Sequence, residues 1–100
     1  MAEVIVEKDV DVDIEINNPG KYRVLLINDD STPMDFVVAL LIGVFKHTEA
    51  SATAVMLEVH NKGKGTAGIY SHEVAEQKGI ESTLLARQHG WPLQIQVEPE

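Results

Sequence analysis

The period of the hydrophobic positions changes several times along the chain, and each change predicts an element. Val10-Asp11-Val12-Asp13-Ile14-Glu15-Ile16 alternates apolar with acidic residues at period two, a strand-like pattern. It ends in Asn17-Asn18-Pro19-Gly20, a strong breaker. Residues 1–20 therefore read as a flexible acidic N-terminal extension, an edge strand at most, and residues 21–100 as the core. Tyr22-Arg23-Val24-Leu25-Leu26-Ile27 has the length and apolar character of a buried strand, and Asn28 to Pro33 break it. Thr32 as N-cap, Pro33 at the first helical position and Asp35 in the place of a capping-box acid predict a helix from Pro33 to about Phe45. That helix is apolar nearly all round, so it is expected to be the most buried element.

Thr48 caps a second helix, with Glu49 well placed in its first turn. Ala52, Val55, Met56 and Val59 fall on one stripe, and Asn61 to Gly65 end the helix. Thr66 to Tyr70 is a short strand. Ser71 caps a third helix to about His89, with Val74, Ala75, Leu84 and Leu85 as its expected apolar contacts. Gly79 inside it costs about 1 kcal/mol relative to Ala, which predicts a bend or weak point. Gly90 stops this helix, Trp91-Pro92 turn the chain, and Leu93, Ile95 and Val97 alternate with Gln94 and Gln96 in a last strand. The order β-α-α-β-α-β predicts an α+β domain, three helices packed on a three-stranded antiparallel sheet.

Composition narrows the function. One hundred residues, 44% hydrophobic, suffice for one core and one domain, read here as a monomer. Sixteen acidic residues against eight basic ones give a net charge of −8, which argues against nucleic-acid binding and against docking on anionic membranes. A cationic ligand or a basic partner is favoured instead. The absence of cysteine excludes disulfides, thiolate zinc sites and thiol nucleophiles, and fits a reducing, cytoplasmic setting. The longest apolar run, Phe36 to Phe45, is half the length of a membrane span, and the acidic residues 1–20 lack the basic start of a signal peptide.

The densest polar cluster is Asn28-Asp29-Asp30, at a strand-to-helix junction between apolar elements. It has two readings: a turn, which Asn and Asp favour, or a cation site built from acceptors alone. His60, in the last turn of the second helix, is either a dipole-favoured residue or a group that orients a ligand. The four histidines have no metal-ligand spacing, and Asn28-Asp29-Asp30 lacks the alternation of a calcium loop, so no metal or other cofactor is expected. No serine sits in a nucleophile elbow, and Gly63-Lys64-Gly65-Thr66 leads into a strand, unlike a phosphate loop. Met34 and Met56 lie close in sequence to the polar candidates. An apolar hollow rimmed by acceptors would suit a hydrophobic side chain attached to a primary ammonium.

Tyr22 to Val37 resembles the NDDxTPMEFV signature of the ClpS adaptors and the strand before it. Met56-Leu57-Glu58-Val59-His60 resembles that family's MLxVH segment, and Gly63-Lys64 with Gly68-Ile69-Tyr70 is similar to its GKAxxGxF strand. Glu73 to Lys78 resembles its EVAExK helix start, and Pro92-Leu93 its HPL end. The blocks run in order from about Tyr22 to Val97, and the arm is not covered. The resemblance implies a fold shared in outline with the C-terminal domain of the ribosomal L7/L12 stalk protein. It implies a non-catalytic adaptor that binds N-degrons, proteins with a bulky hydrophobic N-terminal residue (Leu, Phe, Tyr or Trp). Such an adaptor delivers them to a AAA+ Clp unfoldase-protease and modulates its substrate choice. Carried over by residue, Asn28, Asp30 and His60 would surround the substrate α-ammonium, with Asp29 supporting. Thr32, Pro33, Met34, Val37, Met56, Val59 and Leu93 would form the side-chain pocket, with Met34 as a gate against Ile and Val. Glu73 and Lys78 would contact the unfoldase N-terminal domain, and the N-terminal extension would enter the unfoldase. Ser31, Asn61, Gly65 to Ala67 and Gly79 to Ser82 depart from the family's usual residues. Two other readings are weaker. A stalk-type interaction domain would not need the acceptor cluster, and a small enzyme using His60 lacks a nucleophile.

Overall fold

The computed structural model describes residues 20–100, so the strand-like segment 10–16 and the rest of the arm to residue 19 lie outside the described residues. Strand β1 (Tyr22–Ile27) is followed by helices α1 (Met34–Gly43) and α2 (Glu49–Lys62). Strand β2 (Lys64–Tyr70), helix α3 (His72–Gln88) and strand β3 (Gln94–Pro99) complete the chain. The sheet order is β2-β1-β3, and both pairings are antiparallel. This is the α+β arrangement the hydrophobic periods predict.

The apolar run of β1 becomes the central strand because it is the one segment able to bury side chains with a neighbour on each edge. Val24 and Leu26 are wholly buried and stand opposite Val97 and Ile95 of β3. Leu40, Leu41, Val44 and Phe45 bring the end of α1 into the same core. The β1–β2 register shifts between Val24 and Leu25, so that Ala67 is passed over. A bulged residue has no ladder partner. Here the Ala67 carbonyl accepts from His47 Nε2 at 2.6 Å, while His47 Nδ1 lies 2.8 Å from Ser51 Oγ. His47 thus fastens the α1–α2 connection to the sheet. Its neighbour Lys46 has a left-handed φ of 62°, which turns the chain between the two helices.

Three local expectations change. Helix α1 starts one residue late, with Pro33 at its N-cap and no side-chain cap bond, because the Thr32 hydroxyl donates to Asp29 Oδ2 instead. Helix α1 is also not buried all round: Val37, Leu40 and Leu41 face the core, while Met34 and Ile42 are exposed. A domain this small lacks the material to cover a helix on every side. In α3 the buried face is Ala75, Gly79, Ser82 and Ala86, whereas Val74 and Leu84 are exposed; of the expected apolar contacts, Ala75 is buried and Leu85 packs partly on the core. Gly79 serves close approach: a Cβ there would meet Val97 Cγ2 at 3.2 Å. Thr48 and Ser51 form the reciprocal capping box of α2, and the Ser71 hydroxyl accepts from the Val74 N–H at the start of α3.

Candidate functional site

The loop between β1 and α1 is built by Asp29. Its Oδ1 accepts from the Ser31 and Thr32 N–H groups, both at 2.8 Å, and its Oδ2 accepts from Thr32 Oγ1 at 2.8 Å. Burial alone would push this carboxyl up. The Thr32 and Ser31 hydrogen bonds and the Arg87 charge outweigh that and hold it below the ordinary aspartate value. Both oxygens of Asp29 are thereby committed to the loop, and the flanking Asn28 and Asp30 are exposed.

A second tie brings in α2. The Asn28 N–H donates to the Gly63 carbonyl at 2.8 Å. Gly63 is the C-cap of α2, with φ 90°, a conformation that glycine adopts without steric cost. The bond sets the end of α2, and with it His60, beside the acceptor loop. Helix α2 also lies close on β2. A Cβ on Gly65 would come within 2.9 Å of Val59 Cγ2 and 3.3 Å of the Val55 carbonyl, so the missing side chain lets the two elements touch.

Between these elements lies a hollow of about 460 Å³, within the size range of small-ligand sites. Asn28, Asp29, Asp30 and His60 border it on the polar side. Met34, Val37, Met56 and Val59, with Thr32 and Pro33, line the rest. Met34 is 44% exposed, whereas Val37 and Val59 are buried, so the hollow has an exposed apolar wall over a buried floor. Chemically it offers acceptors at the rim and an apolar interior, which fits a cation carried on a hydrophobic group.

Three sequence-derived site residues stand elsewhere. Leu93 is 1% exposed and belongs to the main core, outside the hollow's lining. It precedes β3 at the end of the turn after α3, where Arg87 Nη1 donates to the Trp91 and Leu93 carbonyls at 2.9 and 2.8 Å. Glu73 and Lys78 lie on α3: Glu73 is exposed, and Lys78 donates to the Val44 carbonyl at 2.7 Å with its ammonium 5.8 Å from the Tyr70 ring centroid. Ser31, set down above as a departure from the family pattern, also lines the hollow. The contributions of Gly65 and Arg87 were missed in the sequence. Gly65 follows α2 by a few residues, a spacing that signals a tight helix-to-strand approach. Arg87 acts through the tertiary fold and left no local signal.

Fold and site together define a small α+β module with one acceptor-rimmed apolar hollow. A family model described as "ATP-dependent Clp protease adaptor protein ClpS" matches residues 17–96. The chain is 54% identical over 84 residues to the ATP-dependent Clp protease adapter protein ClpS of Hydrogenovibrio crunogenus, spanning 84% of this chain and 81% of that one. It is 46% identical over 98 residues to the Helicobacter hepaticus protein of the same name, spanning 98% and 97% of the two chains. Among solved structures it is similar to Agrobacterium tumefaciens ClpS2 bound to L-phenylalaninamide. The TM-score is 0.80 and the identity 37%, covering 83% of this chain and all of that one. The chain belongs to the ClpS family of Clp protease adaptors.

Proposed function

We propose that this protein is a non-catalytic adaptor that binds proteins with a bulky hydrophobic N-terminal residue (Leu, Phe, Tyr or Trp) and delivers them to a Clp AAA+ unfoldase-protease. The carrying observation is the hollow, whose polar border of Asn28, Asp30 and His60 stands over an apolar interior. An N-terminal residue presents both matching features at once, an α-ammonium and a side chain. L-phenylalaninamide, bound in the similar Agrobacterium protein, has that same chemistry. Asp29 supports the site indirectly, by shaping the loop that holds Asn28 and Asp30.

The energetics suit a carrier. Burying a Leu-sized side chain contributes about 1.5–3 kcal/mol. Each hydrogen bond from the ammonium adds roughly 1.5–3 kcal/mol before association costs are subtracted. The sum gives modest affinity and ready release. Met34, at the open side, screens side-chain shape and disfavours the β-branched Ile and Val. The unfoldase N-terminal domain docks on the face that carries Glu73. Lys78 steadies that face by tying α3 to the end of α1. The adaptor acts as a cytoplasmic monomer, and its acidic extension, residues 1–20, enters the unfoldase during delivery.

Fluorescence anisotropy with one peptide in three forms tests the binding: N-terminal Leu, N-terminal Ile, and acetylated Leu. The Leu peptide is expected to bind, the Ile peptide more weakly. The acetylated peptide is expected to lose at least about tenfold, since removing the charge forfeits more than about 1.4 kcal/mol. Equal binding of Leu and acetyl-Leu would remove the N-degron reading.

A further inference from the structure

A second cavity, of about 300 Å³, shares no lining residue with the hollow, yet the last turns of α2 border both. Val59 and His60 face the hollow, while Glu58 and Lys62 face the second cavity. Its other charged residues are Arg23, Lys64 and Glu98. In a chain of net charge −8, three of the eight Lys and Arg residues thus meet in one place. They are not equivalent. Arg23 is occupied at the end of β3: its Nε stands 3.6 Å from Glu98 Oε2, and its Nη2 donates to the Glu100 carbonyl at 3.2 Å. Lys62 and Lys64 are exposed, and neither ammonium has a hydrogen-bond or ion-pair partner among the described residues. With Glu98 offset by Arg23, Glu58 alone stands against the two lysines, and the balance at this end of the cavity is positive.

We propose that Lys62 and Lys64 form a subsite for an acidic side chain, Asp or Glu, that follows the N-terminal residue of a bound protein by two to four positions. The inference rests on the N-degron reading of the hollow and adds a second recognition element to it. Position carries the argument. Gly63, whose carbonyl accepts from the Asn28 N–H, stands between the two lysines in the chain. Lys64 is the β2 partner of Ile27, the residue before Asn28. Lys64 therefore lies about one strand spacing, roughly 5 Å, and one residue from the polar border of the hollow. Lys62 follows His60, another border residue, by two positions on α2. A protein whose α-ammonium is fixed at that border sends its next residues out beside it. Two or three extended residues cover about 7–10 Å, enough to pass from the border to the lysines. Charge sets the order along the peptide. An acid directly after the first residue meets Asp29 and Asp30 and is repelled. An acid further along has passed them and meets two free ammonium groups.

Fluorescence anisotropy of the full chain at low salt tests the subsite, with N-terminal Leu peptides that carry a single Glu or a single Gln at successive positions after the Leu. The readout is the ratio of the Gln-peptide Kd to the Glu-peptide Kd at each position. It is taken in the parent, in the double variant Lys62→Gln and Lys64→Gln, and in the double variant Lys62→Arg and Lys64→Arg. In the parent, Glu two to four positions after the Leu is expected to bind about threefold more tightly than Gln, the scale of exposed ion pairs. That advantage is expected to vanish in about 1 M salt. It is expected to fall to a ratio of about one in the Gln variant and to persist in the Arg variant. Both positions are exposed, so the core is untouched. Leu peptides that bind the parent with no gain from Glu at those positions overturn the subsite and leave the hollow's reading standing. An advantage that survives the Gln variant does the same. Failure of every Leu peptide to bind the parent overturns the reading of the hollow, and the subsite falls with it.

Discussion

Asp29 shows how one side chain can be both turn former and site builder. Its carboxylate replaces missing backbone partners for Ser31 and Thr32, and this fixes the directions in which Asn28 and Asp30 leave the chain. Because the folded state holds this carboxyl below its ordinary value, the charged form contributes stability. The contribution is complete above the unfolded value of about 4 and disappears as pH falls through the lower folded value. Asp29→Asn is therefore expected to cost about 1–3 kcal/mol at pH 7 and to flatten the acid limb of stability below about pH 4. Denaturant unfolding from pH 2 to 7 reads both effects; parallel curves for parent and variant would refute this role. The polar cluster was legible from residue type alone, and its turn reading describes the Asp29 oxygens that hold the loop. The Thr32 cap was not. A hydroxyl three residues after an Asp has two good partners, a helix N–H or that carboxylate, and the sequence does not rank them.

At the level of elements, what was legible follows period and what was not follows contact. Caps, breakers and stripes placed the strands and helices of the described residues in order, although Thr32 does not cap α1. On α3 they held for Ala75 and in part for Leu85, but Val74 and Leu84, which carry the apolar signal, are exposed, while Gly79, Ser82 and Ala86 do the packing. Small residues score weakly in any hydrophobic pattern, but they let a helix lie flat on a sheet. Gly65 makes the same point at the α2–β2 contact, and it positions the site. Gly65→Ala drives a methyl to within 2.9 Å of Val59 Cγ2, beside the hollow's floor. The expected result is a loss of about 1–3 kcal/mol of stability together with weakened binding of an N-terminal Leu peptide. Gly43→Ala is the control: nothing lies within 4 Å of its Cβ, so it should gain about 0.5–1 kcal/mol and leave binding unchanged. Thermal unfolding and anisotropy on both variants separate close approach from general intolerance of a methyl group. Equal behaviour of the two would refute the contact.

On the scale of the whole molecule, binding and stability are tightly linked because the domain is small. A ligand at about one hundred times its Kd adds about 2.7 kcal/mol to the folded state. For a domain of this length each kcal/mol moves the Tm by about 4–8 °C. An N-terminal Leu peptide at that excess is thus expected to raise the Tm by on the order of 10 °C, and the acetylated peptide to leave it within about a degree. Deleting residues 1–20 divides the molecule's two tasks. Among the described residues none before Asn28 lines the hollow, so the truncated chain should keep the full peptide-induced shift. Delivery should fail, because the extension is the segment proposed to enter the unfoldase. Scanning calorimetry and degradation of a Leu-terminated reporter, run on the same two proteins, give the answer. A truncated chain that still delivers the reporter would confine the adaptor's whole function to residues 21–100 and leave the acidic extension without a part in transfer. A truncated chain that loses the Tm shift would instead tie the extension to the hollow itself.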